Sequence, residues 1–254
     1  MFMGLLGDDQ AFARALTRQE YEAFLALGPR RSLPADTGLM VEGDRSTHVL
    51  LLLDGWATVS VSTDRGATRL ILGIRGPGEL LGELAALDNR PRSATVRALG
   101  PVEAVVVPGD SFRRFLAVNP RIGALVMRQL ASRLRSADSE RSALASMTVL
   151  RRLAARLVEL STVNGTGPYT PAGPSDRRGR KPPTAVVHLP QDELAATVGA
   201  TREAVAKALR LLRDQQVVRT GNRRVEILEP ALLKLLADGA DGGTGERRAA
   251  DRNL

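Results

Sequence analysis

Apolar residues change their spacing three times along the chain, and each change marks a different kind of element. Residues 5–27 hold short apolar stretches ("AFARALTRQEYEAFLAL") that suit small helices. From about 33 to 108 the runs shorten and become β-prone: "HVLLLL", "ATVSVS", "TRLILGI", "ATVRAL" and "EAVVV". Several alternate with period two, and glycines at 38, 43, 55, 66, 73, 76 and 78 separate them. Short strands at this spacing predict an all-β roll or sandwich, with "VLLLLDGW" as a buried strand.

After Pro108-Gly109 the period becomes helical. Asp110 or Ser111 is placed to cap a short helix, "SFRRFLAV". Pro120 then stands at the tolerated first position of a long one. Ile122, Val126, Leu130, Leu134, Ala137, Arg141 and Leu144 recur at intervals of four or three, one stripe more than twenty residues long. So narrow a seam on so long a helix predicts pairing with a second copy; the alternative is a helix lying on its own barrel. "TVLRRLAARLVELS" predicts one more amphipathic helix. The Gly-, Pro- and charge-rich segment 164–184 predicts a flexible insert, and 239–254 a disordered tail.

"QDELAATVGATREAVAKALRLLRDQQVV" (191–218) carries Ala195, Gly199 and Val205 at intervals of four and six. A helix-turn-helix needs this spacing. The alanine lets the second helix cross closely over the first, and the glycine accepts the left-handed backbone of the turn. Leu194, Val198, Ala200, Val205 and Leu209 fill the core between the helices, and Thr201 is placed to cap the second. That helix offers Arg202, Glu203 and Lys207 to a major groove; Arg or Lys suits guanine, and Glu suits cytosine. "VVRTGNRRVEIL" predicts a winged hairpin around Gly221-Asn222, with Arg219, Arg223 and Arg224 near phosphates. The alternative is an ordinary helical hairpin with solvated charges.

Composition narrows the function. The chain of 254 residues carries a net charge of +8. Residues 1–147 contribute +2 and residues 148–254 contribute +6, so the excess lies where the helix-turn-helix is predicted. Cysteine is absent, which excludes disulfides, thiolate metal sites, iron–sulfur clusters and cysteine nucleophiles. The two histidines, His48 and His188, are far apart and have no second ligand at metal spacing, so no metal is expected. No nucleophile–histidine pair or phosphate-binding Walker loop points to an enzyme. No apolar run reaches the length of a membrane span, and a cytoplasmic location is expected.

"GELLGELAALDNRPRSATVRA" (78–98) sets a carboxylate, Glu83, and a guanidinium, Arg92, in a segment otherwise built for a core. A roll, a long helix and a winged helix-turn-helix, in this order over residues 10–236, resemble the family of the cyclic-AMP receptor protein and FNR regulators. "GELAALDNRPRSA" resembles its phosphate-binding cassette, and "VGATREAVAKAL" its recognition helix. The resemblance implies an α+β chain: a cyclic-nucleotide-binding β-roll at 10–117, a dimerisation helix at 118–147 and a winged helix-turn-helix at 148–238. It also implies double-stranded DNA, a second copy and RNA polymerase as partners.

By the same resemblance Glu83 accepts a ribose hydroxyl, Arg92 pairs with a cyclic phosphate and Ser93 adds a hydrogen bond, assisted by backbone amides near Gly82 and Leu84. A phosphate is a natural counter-charge for a buried guanidinium. Ala137 and Asp138 stand where cyclic-AMP-responsive members carry a Thr-Ser pair against adenine, and alanine donates no hydrogen bond. The implied effector is therefore a cyclic nucleotide or a cyclic dinucleotide. The alternatives are a Glu83–Arg92 pair in a vestigial pocket and a regulator that needs no ligand.

Overall fold

The computed structural model describes residues 11–63, 68–161, 169–171 and 184–239. Two four-stranded antiparallel sheets form the N-terminal roll. One contains β1 (Arg30–Leu33), β8 (Val102–Val107), β3 (Val49–Asp54) and β6 (Leu80–Leu81), in that order across the sheet. The other contains β2 (Gly38–Met40), β7 (Thr95–Ala98), β4 (Ala57–Thr63) and β5 (Thr68–Arg75).

The unbroken run of β3 follows from its position. Leu50 and Leu52 face the second sheet, among Val96, Ala98 and Ala104. Val49 and Leu51 face the opposite way, into a cluster with Phe24, Phe112, Ile122 and Val126. A strand covered on both faces has no solvent side to keep polar. That second cluster is supplied by α1 (Arg18–Leu25), α3 (Gly109–Val118) and the start of α4 (Pro120–Ser146). Phe24 meets Phe12, Phe112 and Phe115 edge to face. Thr17 and Glu20 close a capping box on α1, whereas neither Asp110 nor Ser111 caps α3; Pro108 stands at that position.

The long stripe on α4 divides in two. Ile122 and Val126 are buried against the chain's own roll, and Leu130 packs beside them. The outward side carries Met127, Leu134 and Leu144, with Leu134 61% exposed. Ile122 and Val126, included in the stripe expected to pair with a second copy, belong instead to the chain's own core. The helices and strands of the roll claim the first two turns.

The C-terminal module starts with α5 (Val149–Ser161) and adds α6 (Gln191–Val198), α7 (Arg202–Asp214) and α8 (Pro230–Asp238). Its sheet orders β11 (Val218–Gly221), β12 (Arg224–Ile227), β10 (Ala185–Val187) and β9 (Tyr169–Pro171). β9 lies inside the segment predicted to be an unstructured insert, and its backbone pairs with β10. The rest of that insert, apart from Thr184, and the predicted tail beyond Gly239 lie outside the described residues. Leu153, Leu157, Leu194, Val205, Leu209 and Leu212 form the module's core. Ile71 and Ile74 of β5 join the same cluster, so roll and module share one apolar contact.

Candidate functional site

β6 is followed by Gly82, whose φ of +79° turns the chain into α2 (Glu83–Asp88). A side chain there is impossible without displacement, since a Cβ would lie 2.5 Å from both Arg92 Nη1 and Met40 Cε. α2 ends at Asn89, also left-handed, and the chain returns through Pro91 to Arg92. The backbone of Arg92 is clamped: its N–H donates to the Asp44 carbonyl at 2.8 Å and its carbonyl accepts from Gly43 N–H at 2.9 Å.

The guanidinium of Arg92, in a residue only 4% exposed, is held by neutral acceptors. Nε donates to Ser46 Oγ at 3.0 Å, Nη1 to the Gly82 carbonyl at 3.0 Å and Nη2 to the His48 carbonyl at 2.7 Å. No carboxylate among the described residues forms a salt bridge with it. Burial lowers its proton affinity below the usual arginine value, against the opposing pull of Glu83 and Asp44.

Glu83, 2% exposed, pairs instead with Arg133 of α4, whose Nη1 lies 2.7 Å from Oε1. A direct Glu83–Arg92 pair is therefore not formed. Glu83 Oε2 is buried and has no hydrogen-bond partner. Arg133 also donates to the Leu80 carbonyl at 2.8 Å and lies 3.7 Å from Glu79. Glu79 in turn meets Arg75 at 3.4 Å. Burial raises the Glu79 carboxyl above the usual range, and Arg75 and Arg133 oppose that rise.

Replacing Arg133 with methionine removes one of these two counter-charges. A carboxyl raised in the folded state stabilises at acid pH and loses that contribution as pH rises. The variant is therefore expected to lose about 3–5 kcal/mol at neutral pH and less near pH 5, measured by urea unfolding across pH.

Arg75, Glu83, Arg92 and Arg133 line one cavity of about 610 Å³. Gly82, Glu83, Leu84, Arg92 and Ser93 enter it from the roll, and Leu130, Arg133, Leu134 and Ala137 from α4. Thr197, Val198 and Gly199 of the C-terminal module also line it. Asp138 is not brought to the cavity. It is exposed and pairs with Arg141 at 3.3 Å, because the helical turn carries it away from Ala137.

The second candidate surface lies on the C-terminal module. Gly199 has φ +59°, joining α6 to α7 as the Ala-Gly-Val spacing required. The Thr201 hydroxyl accepts from the Ala204 amide at 3.3 Å and so caps α7. Arg202, Glu203 and Lys207 are exposed on one side, while Val205, Ala208, Leu209 and Leu212 turn inward. Hydrogen bonding from its own backbone amide, then from Thr201, lowers the Glu203 carboxyl. Glu203 is thus an acceptor only at neutral pH.

Arg202 lies 3.3 Å from Asp192, both exposed. In the wing, Arg219 and Arg224 pair with Glu226 at 2.9 and 3.0 Å, which orients them across β11 and β12. Arg223 stands exposed at the turn with φ +53°.

Four arginines that periodicity did not single out hold neighbouring elements together around the cavity. Arg133 stands one turn before Ala137 on the cavity side of α4. Arg152 donates to the Met147 carbonyl at 2.7 Å and the Val198 carbonyl at 2.9 Å, tying the end of α4 to the helix-turn-helix. Arg156 reaches Glu140 at 2.7 Å, Glu159 at 2.5 Å and the Thr197 carbonyl at 3.2 Å. Arg69 of β5 meets Glu193 of α6 at 2.6 Å. An Arg-rich sequence conceals which arginines are buried; only their surroundings separate them.

Comparison with known proteins agrees with this division. Residues 30–119 match the family model of the cyclic nucleotide-binding domain, and residues 151–236 that of the Crp-like helix-turn-helix domain. The chain is 30% identical over 224 residues to the cyclic AMP receptor protein of Thermus thermophilus, covering 88% of this chain and 95% of that protein. It is 31% identical over 177 residues to a CRP-like cAMP-activated global transcriptional regulator of Mycobacterium tuberculosis, covering 69% and 73%. The c-di-GMP-responsive global regulator CLP of Xanthomonas campestris shares the fold, with a TM-score of 0.71 at 23% identity over 83% of this chain and 99% of that one. Relatives of this kind are transcription regulators rather than enzymes, and among the described residues no helix is long and apolar enough to cross a membrane. With a roll, a long helix and a winged helix-turn-helix in order, and a relative matched over nearly its whole length, the chain is a member of the CRP/FNR family of transcriptional regulators.

Proposed function

We propose that the protein is a dimeric, sequence-specific DNA-binding regulator controlled by a cyclic nucleotide or cyclic dinucleotide in the roll cavity. The observation that carries this reading is Arg92: a buried guanidinium, satisfied only by neutral acceptors, in the wall of a cavity of about 610 Å³. A ribose-phosphate supplies the missing anion, and its hydroxyl supplies a donor for Glu83 Oε2. Ser93 lies beside Arg92 at the cavity wall, and the amides near Gly82 and Leu84 belong to the uncapped first turn of α2. Ala137 gives the base an apolar contact on α4.

Ligand and DNA are coupled through Arg133. A ribose hydroxyl on Glu83 competes for the carboxylate that now holds α4, and α4 leads through Glu140 and Arg156 to the Thr197 carbonyl of α6. The change needs only unequal ligand affinity for the two arrangements, typically about 1–3 kcal/mol. Calorimetry against a panel of cyclic mono- and dinucleotides, with operator binding measured at saturation, tests the reading. No binding at millimolar ligand would favour a ligand-independent regulator. The Glu83–Arg133 pair supports that second reading, because it joins roll to helix using protein groups alone.

On DNA, Arg202, Glu203 and Lys207 read base edges, while Arg219, Arg223 and Arg224 position the wing on phosphates. Arg202→Ala is expected to weaken the specific site by about 1–3 kcal/mol and to relax preference at one base position. Arg223→Ala is expected to weaken all sequences about equally and to make the salt dependence shallower. Binding-site selection and salt titrations separate the two. Unchanged base preference in Arg202→Ala would refute the assignment of α7.

A further inference from the structure

We propose that Glu79 is a positioning residue that receives Arg133 when a ligand engages Glu83, and so passes the state of the cavity to the DNA-binding module. The inference rests on the cyclic-nucleotide reading above and adds to it a residue that does not line the cavity.

Four charges alternate behind the cassette: Glu83, Arg133, Glu79 and Arg75. Arg133 stands between the two carboxylates, 2.7 Å from Glu83 and 3.7 Å from Glu79. Its Nη1 donates to Glu83 Oε1, and its Nη2 donates to the Leu80 carbonyl at 2.8 Å while facing Glu79 Oε2. Glu79 is oriented for this contact. Its Oε1 accepts from the Gly76 amide at 3.0 Å, which leaves Oε2 toward both Arg133 and Arg75. A closed hydrogen bond between charged groups spans about 2.7–2.9 Å, so the Arg133–Glu79 contact is open by roughly 1 Å.

That opening makes an exchange of partners possible. Glu83 Oε2 is buried without a hydrogen-bond partner, and a ribose hydroxyl that donates to it draws the carboxylate toward the ligand. Arg133 then loses hold of Glu83. A guanidinium in a largely buried site is costly without a counter-charge, and the Leu80 carbonyl supplies none. Glu79 supplies it after a small rotation of the Arg133 side chain. One ion pair replaces another, and α4 changes its seat on the roll.

The exchange reaches the C-terminal module through Arg75. Arg133 repels Arg75, whereas Glu79 and Glu159 of α5 attract it. When Arg133 closes on Glu79, Arg75 shares that carboxylate with a nearer cation, and the balance shifts toward Glu159. Glu159 is held by Arg156, whose Nη2 donates to the Thr197 carbonyl of α6 at 3.2 Å. Glu79 is therefore the point at which a change at the cassette passes from α4 into β5 and α5.

The test uses the full chain, the duplex it selects from a random pool, and 3′,5′-cyclic AMP and cyclic di-GMP as probes. Calorimetry measures nucleotide binding, and gel-shift titration measures duplex affinity with and without saturating nucleotide. In wild type, bound nucleotide is expected to change duplex affinity by about fivefold or more. In Glu79→Gln the amide oxygen keeps the Gly76 contact, but a donor replaces the oxygen that faces the arginines. This variant is expected to bind the nucleotide with nearly wild-type affinity while the change in duplex affinity falls to near unity. A merely structural Glu79 would lower stability and leave that factor as it is. Should Glu79→Gln fail to fold, the double variant with Arg75→Met removes the stranded guanidinium as well and carries the same expectation. A wild-type factor in either folded variant, or a wild type whose bound nucleotide leaves duplex affinity unchanged, overturns the inference while leaving nucleotide binding intact. If neither nucleotide binds at millimolar concentration, the cyclic-nucleotide reading fails and this inference falls with it.

Discussion

Arg92→Gln is expected to abolish nucleotide binding while leaving the fold and ligand-free DNA affinity nearly unchanged. Glutamine can still reach the neighbouring carbonyls with its amide, so the site is not left wholly unsatisfied. What it lacks is the charge. Removing one partner of a buried, hydrogen-bonded charge pair costs about 2–5 kcal/mol, or roughly 30- to several-thousand-fold in affinity. Calorimetry reads the loss directly. Operator binding with and without nucleotide reads the second consequence, since a variant that binds no ligand shows no ligand effect. Reciprocity makes the wild-type control strict: operator DNA must change nucleotide affinity by the factor that nucleotide changes operator affinity. Tight nucleotide binding by Arg92→Gln would show that the ligand is held elsewhere.

Leu134→Glu is expected to yield monomers with little operator affinity. Leu134 is 61% exposed on a helix whose inward side is already occupied by the chain's own roll. An exposed row of Met127, Leu134 and Leu144 on so long a helix is suited to a twofold seam, in which a carboxylate would be buried without a partner. A dimer presents two recognition helices about 34 Å apart to successive major grooves. A monomer has one, and loses the gain of a tethered second contact, on the order of a hundredfold or more. Sedimentation measures assembly and gel-shift titration measures DNA affinity. An intact dimer in Leu134→Glu would move the seam elsewhere. Ile122 is unsuitable for this test because it belongs to the roll's core, and its replacement would damage the fold first.

The helix-turn-helix was legible because its constraint is local. A left-handed residue at 199, a close crossing at 195 and a hydroxyl cap at 201 are all demanded within seven residues of sequence, and the structure has each of them. The strands of the roll were legible for a similar reason: period two and glycine punctuation mark them whatever they later pair with. The cassette was legible as an oddity, since two charges in a core-like segment call for an explanation. Their partners were not. Glu83 is joined to a residue fifty positions away, Arg92 to Ser46 and His48, and nothing in local spacing encodes either connection.

The sequence by itself determined most of the segments that become strands, helices and turns, β9 excepted, and that a guanidinium and a carboxylate enter the roll. Those outcomes follow from side-chain periodicity and from backbone geometry at glycine and proline, which act over a few residues. Tertiary structure alone decided that the N-terminal part of the α4 stripe serves the chain's own core. It also turned Asp138 away while Ala137 faces the cavity, and sorted the arginines: Arg133 and Arg156 to carboxylates, Arg92 to neutral acceptors. Burial and charge pairing depend on what lies across the fold, and at that distance identical residues acquire different chemistry.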